Sequence, residues 1–455
     1  MQMSDSGMLT QSLPDRDAEL EVLRECVEAA LDTAQRGGAE GAEVNANSQA
    51  GLSVAVRLGE IETLEHHRDR GIAISVYLGK RKGSASSADL RPDAIRDCVQ
   101  NALDIARYTE EDACNGLPDR DRLATEFPDL DLWHPRNLDV GAAIARALEC
   151  EEAGRADPRI SNSEGASVNI HAGLSVQGNS AGFVGFNSGT RYDQSCVLVA
   201  GDGENMQRDY WYDSRRCFDD LEAAQVTGAE AARRTVSRLG ASQRPTAQVP
   251  VMFSPMVARG LIAHLVSAVS GSALYRNASF LKDALGEPLF PDWLSVTENP
   301  MLPRAPGSCA FDGEGVATRQ RKLVNGGTLE GYVLSSYSAR RLGLETTGNA
   351  GGVHNLTLEG VMTPQDELLG MMDTGLLVTE LMGQGVNIVT GDYSRGASGF
   401  WVEGGEIIHP VEEMTIAGNL RNMFAAIRAV GDDIDDRANI QAGSILIDHM
   451  TVAGR

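Results

Sequence analysis

The sequence predicts an α+β fold in which N-terminal α/β subdomains join a large C-terminal domain of mainly antiparallel sheets. Three observations carry that expectation. The chain has 455 residues with 49 glycines and only 5% aromatic side chains, a balance that calls for many turns. Runs of alternating side chains, the period of a half-buried strand, recur between Gly- and Asn-rich punctuation. Segments with helical periodicity stand between those runs, and none dominates. The length exceeds what one small core fills and predicts two or three domains.

From Asp17 to about Arg36, Leu20, Val22, Leu23, Val27, Ala30 and Leu31 recur at helical spacing, and Gly37-Gly38 ends the helix. Residues 1–15 before it are polar. Two strand-like runs follow, LSVAVRLGEIETLEHH and GIAISVYLGKRKGSASS; in the first, Ser53, Ala55 and Arg57 alternate with Val54, Val56 and Leu58. Pro92 opens a helix that reaches about Arg107. Residues 108–140 are acidic, proline-bearing and aperiodic, and read as a linker or wrapping segment. A helix from Val140 to Ala156 precedes a β-meander from Ile160 to Tyr212, and a helix from about Asp219 to Leu239 closes this half. GASQRPTAQVP is the best domain boundary. Beyond it come the strand VPVMFS, the small-residue helix VARGLIAHLVSAVSG and a series of Gly-separated strands, interrupted by one clear helix near Gly418 to Val430. The resulting division is 1–36, 37–110, a linker at 111–139, 140–240 and 248–455.

The net charge is −24, from 40 basic and 64 acidic residues, and no basic stripe offsets it. Such a field repels nucleic-acid phosphates and anionic membranes, so neither is expected as a partner. The N-terminus has no basic-then-apolar pattern of a signal peptide. The most apolar long stretch, about Gly260 to Tyr275, contains His264 and several serines and is shorter than the ~20 residues of a membrane span. The seven cysteines are widely spaced, with no CxxC pair, as expected of free thiols in a reducing cytoplasm.

Catalytic motifs are sparse. None of the eight histidines belongs to an HExxH or HExxxH, the helical arrangement that puts two imidazoles and a carboxylate around zinc. Gly178-Asn179-Ser180-Ala181-Gly182 matches GxSxG but lies inside the meander, not between a strand and a helix; a stand-alone serine hydrolase using Ser180 is therefore the weaker alternative. Ser279-Phe280-Leu281-Lys282 matches SxxK without its companion elements. No phosphate-cradling GxxxxGK[ST] or GxGxxG is present; Gly348-Asn349-Ala350-Gly351-Gly352 reads as a tight loop that lets backbones pass closely. Asp432, Asp433, Asp435 and Asp436 lack the EF-hand pattern and read as a solvated loop.

Several long stretches resemble the TldD/PmbA family, most closely its PmbA/TldE branch. They are LIAHLVSAVSGSALYRNASFL, FDGEGVATRQRKLVNGGTLEGYVLSSYSARRLGLETTGNAGG, GDYSRGASGFWVEGGEIIHPVEEMTIAGNLRNMF and the closing IQAGSILIDHMTVAG, with NSEGASV and MQRDYWYD in the first half. The resemblance spans roughly residues 40–455. It implies a cytosolic peptidase of two related subunits, acting on unfolded or small peptides such as a microcin precursor or an antitoxin. One subunit, TldD, holds zinc through an HExxxH helix and a later Cys; the other resembles it in fold and lacks those ligands. Laid against that helix, this chain has Ile262 at the first His, Ala263 at the Glu and Ser267 at the second His, and no Cys follows Cys309. The expectation is a subunit without its own metal, partnered by a zinc-bearing TldD-type chain, with a symmetric homodimer or a non-enzymatic peptide-binding scaffold as the other possibility. Tyr275, Arg276, Tyr393, Arg395 and Trp401 are the residues expected to line its peptide or partner surface, because Tyr and Trp offer contact area and Arg pairs carboxylates.

Overall fold

The computed structural model describes residues 15–136 and 139–454, so the polar stretch 1–14 lies outside the described residues. The chain divides into two compact units between Ser237 and Arg238.

In the first unit, helix α1 (Arg16–Arg36) is capped by Asp15, whose carboxylate accepts from Ala18 N. It buries Leu23, Val27, Ala30 and Ala34, a stripe of helical period. Strands β1 (Gly41–Arg57), β2 (Glu60–Leu78) and β3 (Arg81–Ser87) lead to helix α2 (Pro92–Tyr108). After the irregular stretch comes helix α3 (Val140–Arg155), then β4 (Ile160–Asn179), β5 (Val184–Ala200), β6 (Gln207–Arg215) and helix α4 (Ala224–Ser237). Among the described residues these strands form one antiparallel sheet of order β3-β2-β1-β4-β5-β6. Stretches 37–110 and 140–240 thus share a single sheet, joined where β1 pairs with β4 from Glu43↔Asn179 to Val56↔Ala166.

Alternation decides the faces. Ala42, Val44 and Ala46 of β1, with Leu174 and Val176 of β4, pack against α1 and α2. Leu52, Val54 and Val56 of β1, with Ala166, Val168 and Ile170 of β4, pack against α3 and α4. The opposite face carries Asn45, Asn47, Gln49, Ser53, Asn169 and His171, none of them buried. Helices α3 and α4 approach closely because Gly228 has no side chain: a Cβ there would lie 2.0 Å from the Cys150 carbonyl oxygen.

Four local expectations need correction. Leu58 does not continue the β1 alternation; it sits at φ 52° in the β1–β2 turn, half exposed, while the buried Glu151 carboxylate accepts from the amides of Leu58 and Gly59 at 2.8 and 2.9 Å. The helix expected from Asp219 begins only at Ala224. Phe218, edge-on to Tyr192 and faced by the Arg136 and Arg146 guanidiniums, anchors the preceding segment as a single 3-10 turn. The helix expected over Gly418 to Val430 is only Leu420–Ala425, followed by strand Ile427–Gly431. The acidic turn is not simply solvated: Asp435 is buried against Arg437 and Arg259, and Asp433 accepts from Ser444 N and Oγ.

Residues 108–136 wrap over the rest of the first unit. Leu123, Ala124 and Leu130 are buried, Thr190 N donates to Leu132 O, and Arg136 N donates to the Tyr192 hydroxyl.

The second unit contains β7 (Ala247–Phe253), α5 (Pro255–Ala268), α6 (Gly271–Tyr275), β8 (Ser295–Glu298), β9 (Arg321–Asn325), β10 (Thr328–Leu329), α7 (Ser336–Leu342), β11 (Leu356–Glu359), β12 (Met362–Thr363) and α8 (Gln365–Met372). It continues through β13 (Gly375–Met382), β14 (Val386–Asn387), β15 (Asp392–Glu403), β16 (Glu406–Asn419), α9 (Leu420–Ala425), β17 (Ile427–Gly431), β18 (Ile440–Gln441) and β19 (Ile445–Ala453). Strands β7, β13, β15, β16 and β19 pair in a closed circuit, because β19 bonds both β16 and β7. Closure leaves none of these five as a bare edge. A smaller sheet runs β10-β9-β8-β11-β18. The main core joins α5 to one face of the circuit, and α8 covers Met252, Leu377, Val402 and Leu446 on the other. With 27% helix and 40% strand, mostly antiparallel, the fold is α+β. Among the described residues no helix is long and apolar enough to cross a membrane.

Candidate functional site

Helix α5 is the natural starting point. Pro255 occupies its first turn, and Ala258, Leu261, Ile262, Leu265 and Ala268 form the buried stripe against the circuit. Ile262 is wholly buried in that stripe. Ser267 is exposed and its hydroxyl donates back to the Ala263 carbonyl at 2.9 Å. Among the described residues no group of three or more His, Cys, Asp or Glu side chains is placed to hold a metal ion. At the helix positions singled out in the sequence, Ile262 and Ala263 carry no metal-donor atom.

His264 lies on the same helix, half-buried, with its ring edge-on to Tyr393 at 6.0 Å between centroids. Burial first, and the nearby Arg395 charge second, hold its pKa below the ordinary value. Tyr393 is 2% exposed, and burial pushes its phenol up to about 12 against the pull of Arg395. Arg395 follows two residues on, on the same face of β15, and its Nε donates to the Met382 carbonyl at 3.0 Å. Thus Tyr393 and Arg395 are brought together, with His264, which belongs to no zinc motif in the sequence, as a third member.

The other expected residues fall elsewhere in the unit. Tyr275, at the end of α6, is edge-on to Tyr337 and has the guanidiniums of Arg276 and Arg341 5.5 and 5.4 Å from its ring centre. Arg276 is exposed. Trp401 lies toward the far end of β15, roughly 26 Å along the strand from Tyr393 at ~3.3 Å per residue. It is 8% exposed, donates through Nε1 to Glu403 at 2.9 Å, and is faced by Arg244.

The Gly348–Gly352 loop does allow close passage: a Cβ on Gly348, at φ 74°, would lie 2.7 Å from the Ala317 carbonyl oxygen. Around it is a buried polar network. Glu298 is 1% exposed and accepts from Asn349, from His354 N and from Arg321 Nε at 2.7–2.8 Å. Asp312 accepts three backbone amides, from Glu314, Val316 and Ala350, yet burial raises its pKa. These acids are structural fixtures of the loop.

Ser180 sits in the turn after β4, and no helix follows before β5. Its hydroxyl accepts from Ala42 N at 3.0 Å, a strand-end contact without a nucleophile elbow. His409 Nε2 is 2.7 Å from Ser242 Oγ, and these two meet at a surface position.

The chain matches three metallopeptidase domain models in order along its length. The PmbA/TldA metallopeptidase domain 1 model matches residues 42–106, the central-domain model 133–239 and the C-terminal-domain model 246–454. "Metalloprotease PmbA" of Escherichia coli O157:H7 is 48% identical over 96% of this chain and 98% of that protein. A "Metalloprotease TldD homolog" of Haemophilus influenzae is 20% identical over 82% of each. A crystal structure described as a candidate modulator of DNA gyrase, from Bacteroides thetaiotaomicron, superposes with a TM-score of 0.91 at 29% identity, covering 95% of this chain and 99% of that one. The class is therefore that of the metallopeptidase-related proteins. Within it, this chain belongs to the PmbA/TldD family and is of the PmbA/TldE type.

Proposed function

We propose that this chain is the zinc-free subunit of a cytoplasmic two-subunit metallopeptidase that cleaves unfolded or small peptides. The observation that carries this reading is helix α5, where Ile262 is packed into the core, Ala263 offers no donor and Ser267 spends its hydroxyl on the helix backbone. A lone His264 supplies at most one ligand, whereas a zinc site needs three or four. On this reading zinc and the metal-activated water belong to a TldD-type partner; a TldD homolog of Haemophilus influenzae, similar to this chain at 20% identity, supports a related two-chain pairing. This chain contributes part of the substrate channel and residues that hold the peptide by its backbone and terminus, which suits substrates without fixed structure.

The test is elemental analysis of the chain alone and of the complex co-purified with its partner. The expected result is no zinc on the isolated chain and about one zinc per heterodimer, with peptidase activity only in the heterodimer. Stoichiometric zinc on the isolated chain, or activity without a partner, would refute the proposal.

A further inference from the structure

Arg395 stands out by its place beside the buried Tyr393 and the half-buried His264; Arg155, Arg276 and Arg319 also lack a carboxylate partner among the described residues. With 64 acidic residues against 40 basic ones, arginines here readily find carboxylates: Arg421 pairs with Glu287, Arg428 with Asp448, Arg244 with Glu403, and Arg259 and Arg437 with Asp435. Arg395 pairs with none among the described residues; its only hydrogen bond there is Nε to Met382 O, which fixes the side chain and leaves the terminal nitrogens free.

Two further polar groups beside it are also unspent. The Tyr393 hydroxyl has no partner among the described residues, although the residue is 98% buried, and its oxygen is not sealed from solvent. The His264 ring makes only its edge contact with Tyr393. Because the Tyr393 oxygen reaches solvent, a bound acceptor can take the place of water on it. A phenol that keeps its proton, a neutral imidazole and a guanidinium fork are a donor set for a planar anion. A cation would be repelled by Arg395, and an apolar group would leave all three unsatisfied. The rim beside the fork is apolar: Met382 is 44% exposed and Val386 pairs with Tyr393 across β14.

We infer that His264, Tyr393 and Arg395 form a carboxylate-binding subsite that takes the free C-terminus of a peptide. The identity of the anion as a peptide terminus rests on the peptidase-subunit reading above; the donor set itself does not. The fork binds the two carboxylate oxygens, the Tyr393 hydroxyl donates to one of them, and the last side chain of the peptide lies against Met382.

The experiment is calorimetric titration of the full chain with N-acetyl-Ala-Leu and with its C-terminal amide, with inorganic phosphate and acetate as competitors. The free acid is expected to bind at least about tenfold tighter than the amide. Arg395→Gln should abolish the difference, and Tyr393→Phe, which keeps the ring packing on His264, should weaken acid binding several-fold. Arg428→Gln, on an exposed pair, should change nothing. Equal affinity for acid and amide, or a preference that survives Arg395→Gln, overturns the subsite. Phosphate that binds while neither peptide does would mark an inorganic-anion site and also overturn it. The two readings fail separately: a heterodimer that cleaves peptides while the chain shows no acid preference loses only the subsite. An acid preference in a chain that never associates with a zinc-bearing partner loses only the peptidase reading.

Discussion

Glu151 shows how much a single buried carboxylate can organise. It reaches from α3 to two turn amides 93 and 92 residues away, at Leu58 and Gly59, and is 1% exposed. We predict that Glu151→Ala lowers the unfolding free energy by about 2–4 kcal/mol, because two charge-assisted bonds are lost and the amides are left without an acceptor. A urea midpoint within error of the parent would contradict this. The same arithmetic applies to Arg321→Met, which strands the buried Glu298 and should cost about 3–5 kcal/mol by the same measurement. Histidine protonation sets a pH limit. Burial, then Arg191, depress the pKa of His171 below its ordinary 6.5 in the folded chain. On acidification the unfolded chain takes up the proton first, so this stability is present above about pH 6.5 and lost as pH falls through the folded pKa. His171→Gln should therefore flatten the fall in unfolding free energy between pH ~7.5 and ~5.5. Parallel curves for parent and variant would refute the assignment.

Among the elements, strand alternation and helix stripes were legible because they are local. The β1 alternation of Val54 and Val56, the α1 stripe and the meander of β4 to β6 all follow from periods of two and 3.6. What escaped the sequence was set by distant partners. Leu58 looks like one more strand residue until Glu151 grips its turn, and the residues from Asp219 look helical until Tyr192 and two arginines claim the neighbouring Phe218 ring and the helix starts only at Ala224. The acidic turn reads as solvated because Arg259, which faces Asp435, is 176 residues away. His264 and Tyr393 meet only because tertiary packing brings α5 against the strand circuit, and no spacing announces it. Element packing also yields a prediction: Gly228→Val must push α4 off α3, since even a Cβ falls 2.0 Å from the Cys150 carbonyl. A loss above about 2 kcal/mol is expected, with thermal unfolding as the readout; unchanged melting would show that the helices yield.

For the whole molecule, the hydrophobic clusters respect the division at Ser237/Arg238: those around α1 to α4 lie on one side and those around α5 and α8 on the other. Fragments 15–237 and 238–454 should each fold when expressed separately, with cooperative unfolding followed by circular dichroism. A fragment that stays unstructured would show that its core is incomplete alone. The sheet order has a further consequence for biosynthesis. Strand β1 leaves the ribosome well before β4, its central neighbour, as the 138-residue separation of Ala42 from Ser180 makes plain. Until β4 emerges, the β1–β2–β3 meander presents the unpaired backbone of β1 to the cell, a row of amides and carbonyls open to any other nascent strand. Translation that stalls between α2 and β4 would release chains with that seam uncovered, so the hazard for this protein lies in interrupted synthesis more than in unfolding once complete.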